Sequence, residues 1–523
     1  MTSPVPAAPV AEEPVDAASA TGRGVACEPL LSGRLTALLL VAVTALAVLL
    51  RFTDLATQPG GLYPDEAAEG VSANRMLQAP GYSPVFIPED GGREALFAYI
   101  VSTVFRVAGS SVVSLRGTAA LLGVLTVPAV YLLCRRFGRG PALAAAGWVA
   151  GSVWMVAISR DGMRNVLVPL FTALALLSLM NWADRPGRRS ALLAGAICSL
   201  AALYTYQPLK LLPLLILGWM LWLRRRDRET FKALLGGLLP LTVAFVIVGA
   251  PMIAAAASDP QNYFGRSFAV TAINRDAAAD SSFMVHELRT LGMFAFTGDP
   301  NPRHDVDALP ALGIPLTAVA LLGVVRLWRR RRDAAHALVL LSLPLFLVPP
   351  LVATEGGSPH FLRALGLATP LAVCIGLGAA VLWEGVRSAW GAAAARALAG
   401  GVAVLLAAIA AGGGHAYVTR SLAARYSAYS HDLVALATLA RGGAGTVVIL
   451  DDYSATVVRF LDAHDMPTIA SPTAHLDRRT PHTAILALDR GDIRRVVDAA
   501  TADRAQVAAV DGAGHPAVWI AQP

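Results

Sequence analysis

Two adjacent carboxylates, Asp65 and Glu66, follow a Gly-Gly-Leu-Tyr-Pro turn at residues 60–64. The turn comes soon after the first long apolar run, so the sequence places both side chains just outside a membrane. Carboxylates this close to hydrocarbon are costly unless they pair or carry a function. We interpret Asp65 as a general base that takes a proton from an attacking hydroxyl, assisted by Glu66. The alternative is that both acids only favour the N-terminal end of a helix beginning at Pro64.

Arginines in later polar segments predict a phosphate site on the same face. Arg93 opens the second apolar run, Arg160 and Arg164 lie at the break between two further runs, and Arg363 enters another. The planar guanidinium suits phosphate, so we predict that these four arginines bind the phosphate of a donor. Each arginine also has a structural alternative. Arg93 could extend its charged end to the membrane surface or cap a helix, and the other three could form ion pairs with nearby acids.

Further polar side chains fall in the segments predicted to face the same side, and we expect them to line a substrate cavity. Histidines in such segments are more often structural than metal ligands, and no second histidine lies at metal-ligand spacing in the sequence. The predicted cavity residues are Tyr63, Glu94, Tyr204, Tyr206, Asp299, Asn301, His304, Glu355 and His360.

Composition identifies a polytopic membrane protein. Of 523 residues, 55% are apolar and only 15% charged, and the mean hydropathy is +0.56. The net charge of +7 comes from arginine clusters between apolar runs rather than from a basic surface with interleaved aromatics. This pattern indicates membrane topology and argues against nucleic-acid binding. The four cysteines show no metal-type spacing, and disulfides are not expected.

The order of apolar runs predicts the organisation of the chain. Residues 1–33 are predicted to be a disordered cytoplasmic tail, and 34–418 a membrane domain whose first outer loop is 52–93. Within that loop, 66–77 is predicted to form an interfacial helix that Pro64 starts. Four arginine clusters should face the cytoplasm, and they lie at 135–139, 185–189, 224–228 and 329–332. Keeping all four inside predicts eleven spans, with 94–108 not crossing.

The last hundred residues have a different pattern. Short runs of strand type at 445–450, 468–470 and 484–488 alternate with helix-like segments near 430–440 and 454–464. This alternation predicts a small α/β domain over 419–523, outside the membrane on the outer face. Asp451, Asp452 and Tyr453 follow the first strand, where they form either a ligand-binding edge or a plain turn.

The chain resembles the GT-C-fold glycosyltransferases, and in particular the bacterial relatives of protein O-mannosyltransferases and of the lipid A aminoarabinose transferase. The resemblance covers roughly 35–420 and rests mainly on YPDEAAEG at 63–70, with GRE at 92–94 and Ser159-Arg160 in support. It implies an all-α membrane bundle of the GT-C type, with Asp65 as base and Glu66 as helper. The chain departs from the family where Ala95 and Leu96 follow Glu94 in place of Pro-Pro, and it has no MIR-type domain.

The resemblance also implies the donor and a metal. The relatives use dolichyl- or polyprenyl-phosphate sugars, so the expected partners are a lipid-linked donor, membrane lipid and an acceptor on the outer face. In the aminoarabinose branch a Glu and a His hold zinc, and by resemblance Glu94 and His304 would hold a divalent metal here. No other cofactor is expected, because the sequence has neither a Walker-type loop nor a dinucleotide glycine pattern.

The sequence therefore predicts an inverting glycosyltransferase of the bacterial plasma membrane, moving a hexose or pentose to a protein, lipid or envelope glycan. Two alternatives stay open at this point. A secondary transporter or flippase would show inverted repeats and charges at mid-membrane, whereas here the charges cluster at one face. A sensory or structural membrane protein would bind no lipid-phosphate donor.

Overall fold

The computed structural model describes residues 32–269, 280–353, 356–420, 422–441, 445–462, 467–473, 483–496, 504–510 and 515–522. The predicted N-terminal tail lies outside these ranges, apart from its last two residues. The helices before the C-terminal region are α1 (Gly33–Phe52), α2 (Pro64–Gln78), α3 (Leu96–Ala108), α4 (Val112–Cys134), α5 (Arg139–Gly151), α6 (Val153–Ser159), α7 (Leu167–Asp184), α8 (Arg188–Tyr204), α9 (Leu212–Arg226), α10 (Arg228–Ser258), α11 (Pro260–Ala269), α12 (Asp280–Gly292), α13 (Gly313–Arg329), α14 (Ala334–Val352) and α15 (Leu365–Thr419).

The protein is a multi-pass membrane bundle. Among the described residues, six helical segments are long and apolar enough to cross a bilayer, and helices α5 and α6 form one more candidate that bends by 57°. Helices α8, α9 and α13, at 15 to 17 residues, are shorter than the usual span. The prediction of eleven spans therefore stays a prediction. Gly391, with φ 81°, kinks α15 into two helices, as the two separate apolar runs indicated.

The arginine-rich turns gather at one end of the bundle. Arg136 forms a salt bridge with Asp184, and the Trp222 indole donates to the carbonyl of Arg331 at 2.9 Å. The Phe137 ring lies 5.0 Å from that of His336, next to the fourth cluster. Helices α4 and α7 end at this side and begin beside the acidic turn of 60–66. The acidic turn and the arginine clusters thus occupy opposite ends of the bundle.

The segment 94–108 contains the short helix α3. A two-stranded hairpin, β1 (Phe86–Ile87) with β2 (Arg93–Glu94), precedes it and brings Glu94 to the acidic end of the bundle. Helix α4, whose first turns also lie at that end, follows after three residues. Both ends of α3 are therefore near the same end, in keeping with the prediction that this helix does not cross.

Glycines set the closest helix crossings. A Cβ on Gly323 of α13 would lie 1.9 Å from the Cys374 carbonyl oxygen of α15, and one on Gly378 would lie 1.9 Å from the Val319 carbonyl oxygen. Small residues allow backbones to approach in this way in membrane bundles.

The three cysteines in the described spans are buried and unpaired.

The C-terminal region folds as a five-stranded sheet with helices. Its strands follow the order β4-β3-β5-β7-β6, in which β4, β3 and β5 are parallel while β7 and β6 are antiparallel. The three predicted strands are present, and the two last strands were not predicted. The elements are α16 (Leu422–Ala428), α17 (His431–Ala440), β3 (Thr446–Ile449), α18 (Asp452–Leu461), β4 (Thr468–Ala470), β5 (Ala484–Ala487), α19 (Arg490–Val496), β6 (Gln506–Val510) and β7 (Pro516–Ala521).

Candidate active site

The acidic turn is held by a buried ion pair between Glu66 and Arg116. Glu66 is the third residue of α2, and both of its carboxylate oxygens accept from Arg116, at 2.6 and 2.9 Å. Neither side chain is more than 1% exposed. The Gly162 amide donates to the same carboxylate at 3.0 Å. A side chain at Gly162 would collide with Glu66 and Leu115, so only glycine lets this amide approach.

Arg116 also binds the turn that precedes the acids. Its guanidinium donates to the carbonyl oxygens of Pro59, at 2.7 Å, and Gly61, at 2.6 Å. One arginine on α4 thus fixes the loop, the start of α2 and Glu66 at once. Because both carboxylate oxygens of Glu66 accept hydrogen bonds from Arg116, Glu66 serves to position the turn. That Glu66 also assists Asp65 in catalysis stays a prediction.

Asp65 points away from that pair. Neighbouring positions on a helix face about 100° apart, so Asp65 is half-buried beside Tyr63 rather than inside the bundle. Its Oδ1 accepts a hydrogen bond from the Tyr453 hydroxyl at 2.8 Å. Within the described residues its Oδ2 has no hydrogen-bond partner. One oxygen of the predicted base is therefore available to a substrate.

Two residues outside the predicted set of site residues, Asp161 and Arg303, interact electrostatically with Asp65. Asp161 is 0% exposed, and neither of its carboxylate oxygens has a hydrogen-bond partner among the described residues. Burial, together with the charge of Glu66, raises the pKa of Asp161 well above its ordinary range. Arg303 interacts electrostatically with both Asp65 and Asp161. Its guanidinium lies 3.6 Å from the centre of the Tyr63 ring, and it forms no salt bridge within the described part of the chain.

A second buried network holds the rest of the first loop. Arg164 donates to Glu69 at 3.1 Å and to Glu94 at 3.2 Å, and Lys210 lies 3.3 Å from Glu94. Arg93 approaches Glu69 at 4.0 Å and donates to Ser72. Lys210 was missed by the sequence reasoning, although it is one of only two lysines and follows the break at Pro208. This network ties the hairpin, α2 and the breaks before α7 and α9 together.

Arg160 and Arg363 make backbone contacts. Arg160, 1% exposed, donates to the carbonyl oxygens of Leu50, Arg51 and Gln58 at 3.0 to 3.1 Å. Arg363 donates to the Ala353 carbonyl oxygen at 2.7 Å. Of the four arginines predicted to bind phosphate, Arg93 and Arg164 therefore share the network around Glu69, while Arg160 and Arg363 contact backbone carbonyl oxygens. Arg164 interacts electrostatically with Asp65.

The Gly-Asp-Pro-Asn-Pro segment forms a tight loop around Asp299. The Asp299 carboxylate accepts from the Asn301 amide at 2.8 Å, the Phe361 amide at 2.7 Å and His304 Nδ1 at 2.8 Å. Burial opposes ionisation of Asp299, but these hydrogen bonds and the nearby histidines outweigh it and lower its pKa. The ring of His360 lies 5.0 Å from that of His304. The structure thus joins four of the predicted cavity residues in one cluster, namely Asp299, Asn301, His304 and His360.

The donors in this cluster suit a zinc-type ion. Asp299, His304 and His360 each offer a ligand atom, and these atoms lie within 4.8 Å of one another. The ring atoms His304 Nε2 and His360 Nδ1 are buried without a hydrogen-bond partner among the described residues, and the other ring nitrogen of His304 donates to Asp299. By contrast, no hydrogen bond or ion pair joins Glu94 and His304 in the described structure. Of the metal pair implied by resemblance, only His304 therefore lies in this cluster.

The two tyrosines beside the break at Pro208 support the scaffold. The Tyr204 hydroxyl donates to the Val248 carbonyl oxygen at 2.7 Å, and the Tyr206 ring lies 5.4 Å from the Arg164 guanidinium. Glu355 lies outside the described residues.

An apolar cavity of about 450 Å³ opens beside this end of the bundle. It lies between the break of α5 and α6, the loop 305–313 and the second half of α15. Gly412 and Gly413 leave one wall without side chains, and Arg420 and Asp305 lie at its polar edge. Burial raises the pKa of Asp305 to about 9. Most of the remaining wall is apolar and includes Trp148, Trp154, Leu309, Leu312 and Leu316.

Comparisons with known proteins identify the fold. Residues 94–249 match the family model of the dolichyl-phosphate-mannose-protein mannosyltransferases. The structure resembles the Archaeoglobus fulgidus oligosaccharyltransferase tethered with an acceptor peptide, with TM-score 0.55 and 14% identity over 87% of this chain and 69% of that one. A second Archaeoglobus fulgidus structure, AglB in complex with an inhibitory peptide and a dolichol-phosphate, has TM-score 0.53 and 14% identity over 86% and 69%.

A bacterial structure is similar over almost its whole length. It is ArnT from Cupriavidus metallidurans bound to undecaprenyl phosphate, with TM-score 0.55 and 13% identity over 94% of this chain and 98% of that one. A comparison with curated protein sequences gives no match. The chain has the GT-C fold of membrane glycosyltransferases, so the predicted fold class and resemblance are confirmed.

The first prediction concerns the Glu66–Arg116 pair. Replacing Glu66 by Gln leaves Arg116 charged and buried without a counter-ion, and breaking such a pair costs about 3–5 kcal/mol. The matched control is Glu89→Gln, which breaks an exposed pair with Arg75, more than half exposed on both sides and worth at most about 1 kcal/mol. Thermal unfolding in detergent should show a large drop in midpoint for Glu66→Gln alone. Equal midpoints for the two variants would contradict the assignment.

The second prediction concerns pH. Burial and the neighbouring charges of His304 and Arg363 lower the pKa of His360 to about 3, and burial also lowers the pKa of His304. Because an unfolded histidine titrates near 6.5, only the unfolded chain takes up these protons as pH falls below that value. Folding stability should therefore be intact above pH 6.5 and decline below it. His360 alone should account for roughly 2 kcal/mol by pH 5.

The measurement is the thermal midpoint in EDTA buffer between pH 7.5 and 5. The variant His360→Asn should flatten the decline whatever its absolute stability. The matched control, His415→Asn, changes an exposed histidine and should keep the wild-type slope. A His360→Asn slope as steep as that of wild type would show that His360 is not a buried neutral group.

Proposed function

We propose that this chain transfers a sugar from a polyprenyl-phosphate donor to a hydroxyl acceptor, with inversion at the anomeric carbon. The observation that carries the proposal is the position of Asp65 and the state of its carboxylate. Asp65 is a half-buried carboxylate at the start of a helix outside the spans, with one oxygen available and a cation, Arg303, in its electrostatic field. The fold supports the proposal of a lipid-phosphate donor, since proteins of similar structure are bound to dolichol-phosphate and undecaprenyl phosphate.

In the proposed reaction Asp65 acts as general base. The acceptor hydroxyl gives its proton to Oδ2 of Asp65 while its oxygen forms a bond to the anomeric carbon. The bond between that carbon and the phosphate oxygen breaks, and the lipid phosphate leaves with the electron pair. Asp65 then returns the proton to water. The acceptor is a protein, lipid or envelope glycan, and the sugar a hexose or pentose.

Arg303 is the proposed partner of the leaving phosphate. Negative charge grows on the phosphate as the bond breaks, and a preorganised cation stabilises that charge. Arg303 suits this task because it faces Asp65 and Asp161 without a salt bridge among the described residues, and it stacks on Tyr63. Arg164 is the second candidate. Arg93, Arg160 and Arg363 keep their predicted role only if donor binding rearranges their present contacts.

The proposed setting is a bacterial plasma membrane with the site outside. Arginine-rich turns stay in the cytoplasm, and here they lie at the end of the bundle opposite Asp65. The apolar cavity between α5, α6 and α15 has a volume of about 450 Å³, which would hold part of an isoprenoid chain, and Arg420 lies at its polar edge. A divalent metal held by Asp299, His304 and His360 would supply positive charge and stiffen the loop that carries Arg303.

The central prediction is that Asp65→Asn abolishes transfer. Loss of a general base lowers the rate by about 10²–10⁴-fold, while the fold should persist because Asp65 is half-exposed. The assay incubates purified protein in nanodiscs with radiolabelled undecaprenyl-phosphate mannose or arabinose and cell-envelope extract. The control Asp54→Asn removes an exposed acid of the same loop at a residue with positive φ, which asparagine tolerates. Near-normal transfer by Asp65→Asn would refute the base assignment.

Arg303 gives a separate prediction on donor binding. A hydrogen bond to a charged group contributes about 1.5–3 kcal/mol, so Arg303→Gln should weaken undecaprenyl-phosphate binding by roughly 10- to 100-fold. Tryptophan-fluorescence titration in nanodiscs measures this directly. Arg75→Gln, which removes an exposed arginine of the same loop, is the matched control. An Arg303→Gln dissociation constant equal to that of the control would exclude Arg303 from the phosphate site.

A further inference from the structure

The C-terminal sheet region reaches the predicted catalytic residue. Helix α18 packs against α2, and Tyr453, its second residue, donates its hydroxyl to Oδ1 of Asp65 at 2.8 Å. The Tyr453 ring meets that of Tyr63 edge to face, with centroids 6.4 Å apart. A residue 388 positions away in the chain thus makes the only hydrogen bond to the Asp65 carboxylate found among the described residues.

Close contacts fix this arrangement. The Phe460 ring occupies the space where Gly70 would carry a side chain, because a Cβ there would lie 2.3 Å from it. The same ring stacks on Phe105 of α3 with centroids 6.1 Å apart. Helix α18 is therefore held at its far end by packing on α2 and α3, which sets the position of Tyr453 at its near end.

The turn before Asp65 is shaped by the same region. A Cβ on Gly60 would overlap the Tyr426 ring, and a Cβ on Gly61 would lie 2.2 Å from the Tyr429 carbonyl oxygen. His431 Nδ1 lies 2.7 Å from the Gly60 carbonyl oxygen. The paired glycines of this turn thus leave room for the C-terminal region, while the Gly61 carbonyl oxygen accepts from Arg116.

We propose that Tyr453 is a positioning residue for transfer: its hydroxyl holds Oδ1 of Asp65 and turns Oδ2 towards the acceptor hydroxyl. The inference rests on the proposed function, since it needs Asp65 to act as base. The phenol stays protonated throughout, and no atom of Tyr453 is transferred. Burial and the charge of Asp65 raise the pKa of Tyr453, which keeps it a donor.

A positioning role differs from a blocking role in its expected kinetics. If Tyr453 orients the base, removing its hydroxyl lets the carboxylate rotate, and the reaction slows without loss of donor binding. If Tyr453 instead occupies the acceptor's place, removing the hydroxyl opens the site and speeds transfer. The carboxylate has a second oxygen without a partner in the described structure, which favours the positioning role.

The test is Tyr453→Phe in the full-length protein, which removes the hydroxyl and keeps the ring against Tyr63. We expect kcat to fall by about 10- to 100-fold, with the donor KM and the thermal midpoint unchanged. Tyr82→Phe is the matched control, because Tyr82 lies in the same loop and contacts Arg75. The assay uses undecaprenyl-phosphate mannose and cell-envelope extract, with Asp65→Asn run alongside.

The outcomes separate the two proposals. An inactive Asp65→Asn with a Tyr453→Phe variant of wild-type or higher kcat overturns the role of Tyr453 and leaves the base assignment standing. An active Asp65→Asn overturns both. A Tyr453→Phe variant that loses thermal stability and donor binding together with kcat also overturns the inference, because it shows that the hydroxyl only holds the domains together.

Discussion

The ion pair between Arg116 and Glu66 is the constraint on which the rest of the site depends. Taking two charges out of water costs several kcal/mol each, and good geometry must offset that cost. Here the guanidinium meets both carboxylate oxygens and two backbone carbonyls. The pair fixes where α2 begins and, through that, the direction in which Asp65 points. Without it, the acidic turn would lose its hydrogen bonds to α4.

The other buried charges extend this constraint. Glu69, Glu94, Arg93, Arg164 and Lys210 form a network whose members come from the hairpin, α2 and two helix breaks. Arg160 joins the end of α1 to the loop that follows it by donating to the carbonyl oxygens of Leu50, Arg51 and Gln58. In this structure, charged residues that the sequence predicted to bind substrate therefore hold the loops in place through ion pairs and hydrogen bonds. Asp65, Asp161 and Arg303 are three ionisable groups outside this network that interact electrostatically with one another.

The sequence predicted the local features well and the long-range pairings poorly. Pro64 and the acids after it signalled the start of α2, and the apolar run before Asp451 signalled β3. Arg116 escaped notice because it lies inside an apolar run, although a lone charge there is itself a signal that it has a partner. Its contact with Glu66 spans 50 residues, and that of Tyr453 with Asp65 spans 388. Neither periodicity nor spacing reports contacts of that range, so the metal-type cluster at 299–360 and the Tyr453 contact needed the folded structure.

The proposed mechanism requires a lipid phosphate to bind beside Asp65, at the end of the bundle opposite the arginine-rich turns. A cryo-EM structure of the Asp65→Asn variant with undecaprenyl phosphate in nanodiscs would locate that phosphate. We expect phosphate density within hydrogen-bond distance of the Arg303 guanidinium, facing residue 65, with the isoprenoid chain entering the cavity beside Gly412 and Gly413. Phosphate density at the arginine-rich end, or apart from both residue 65 and Arg303, would contradict it.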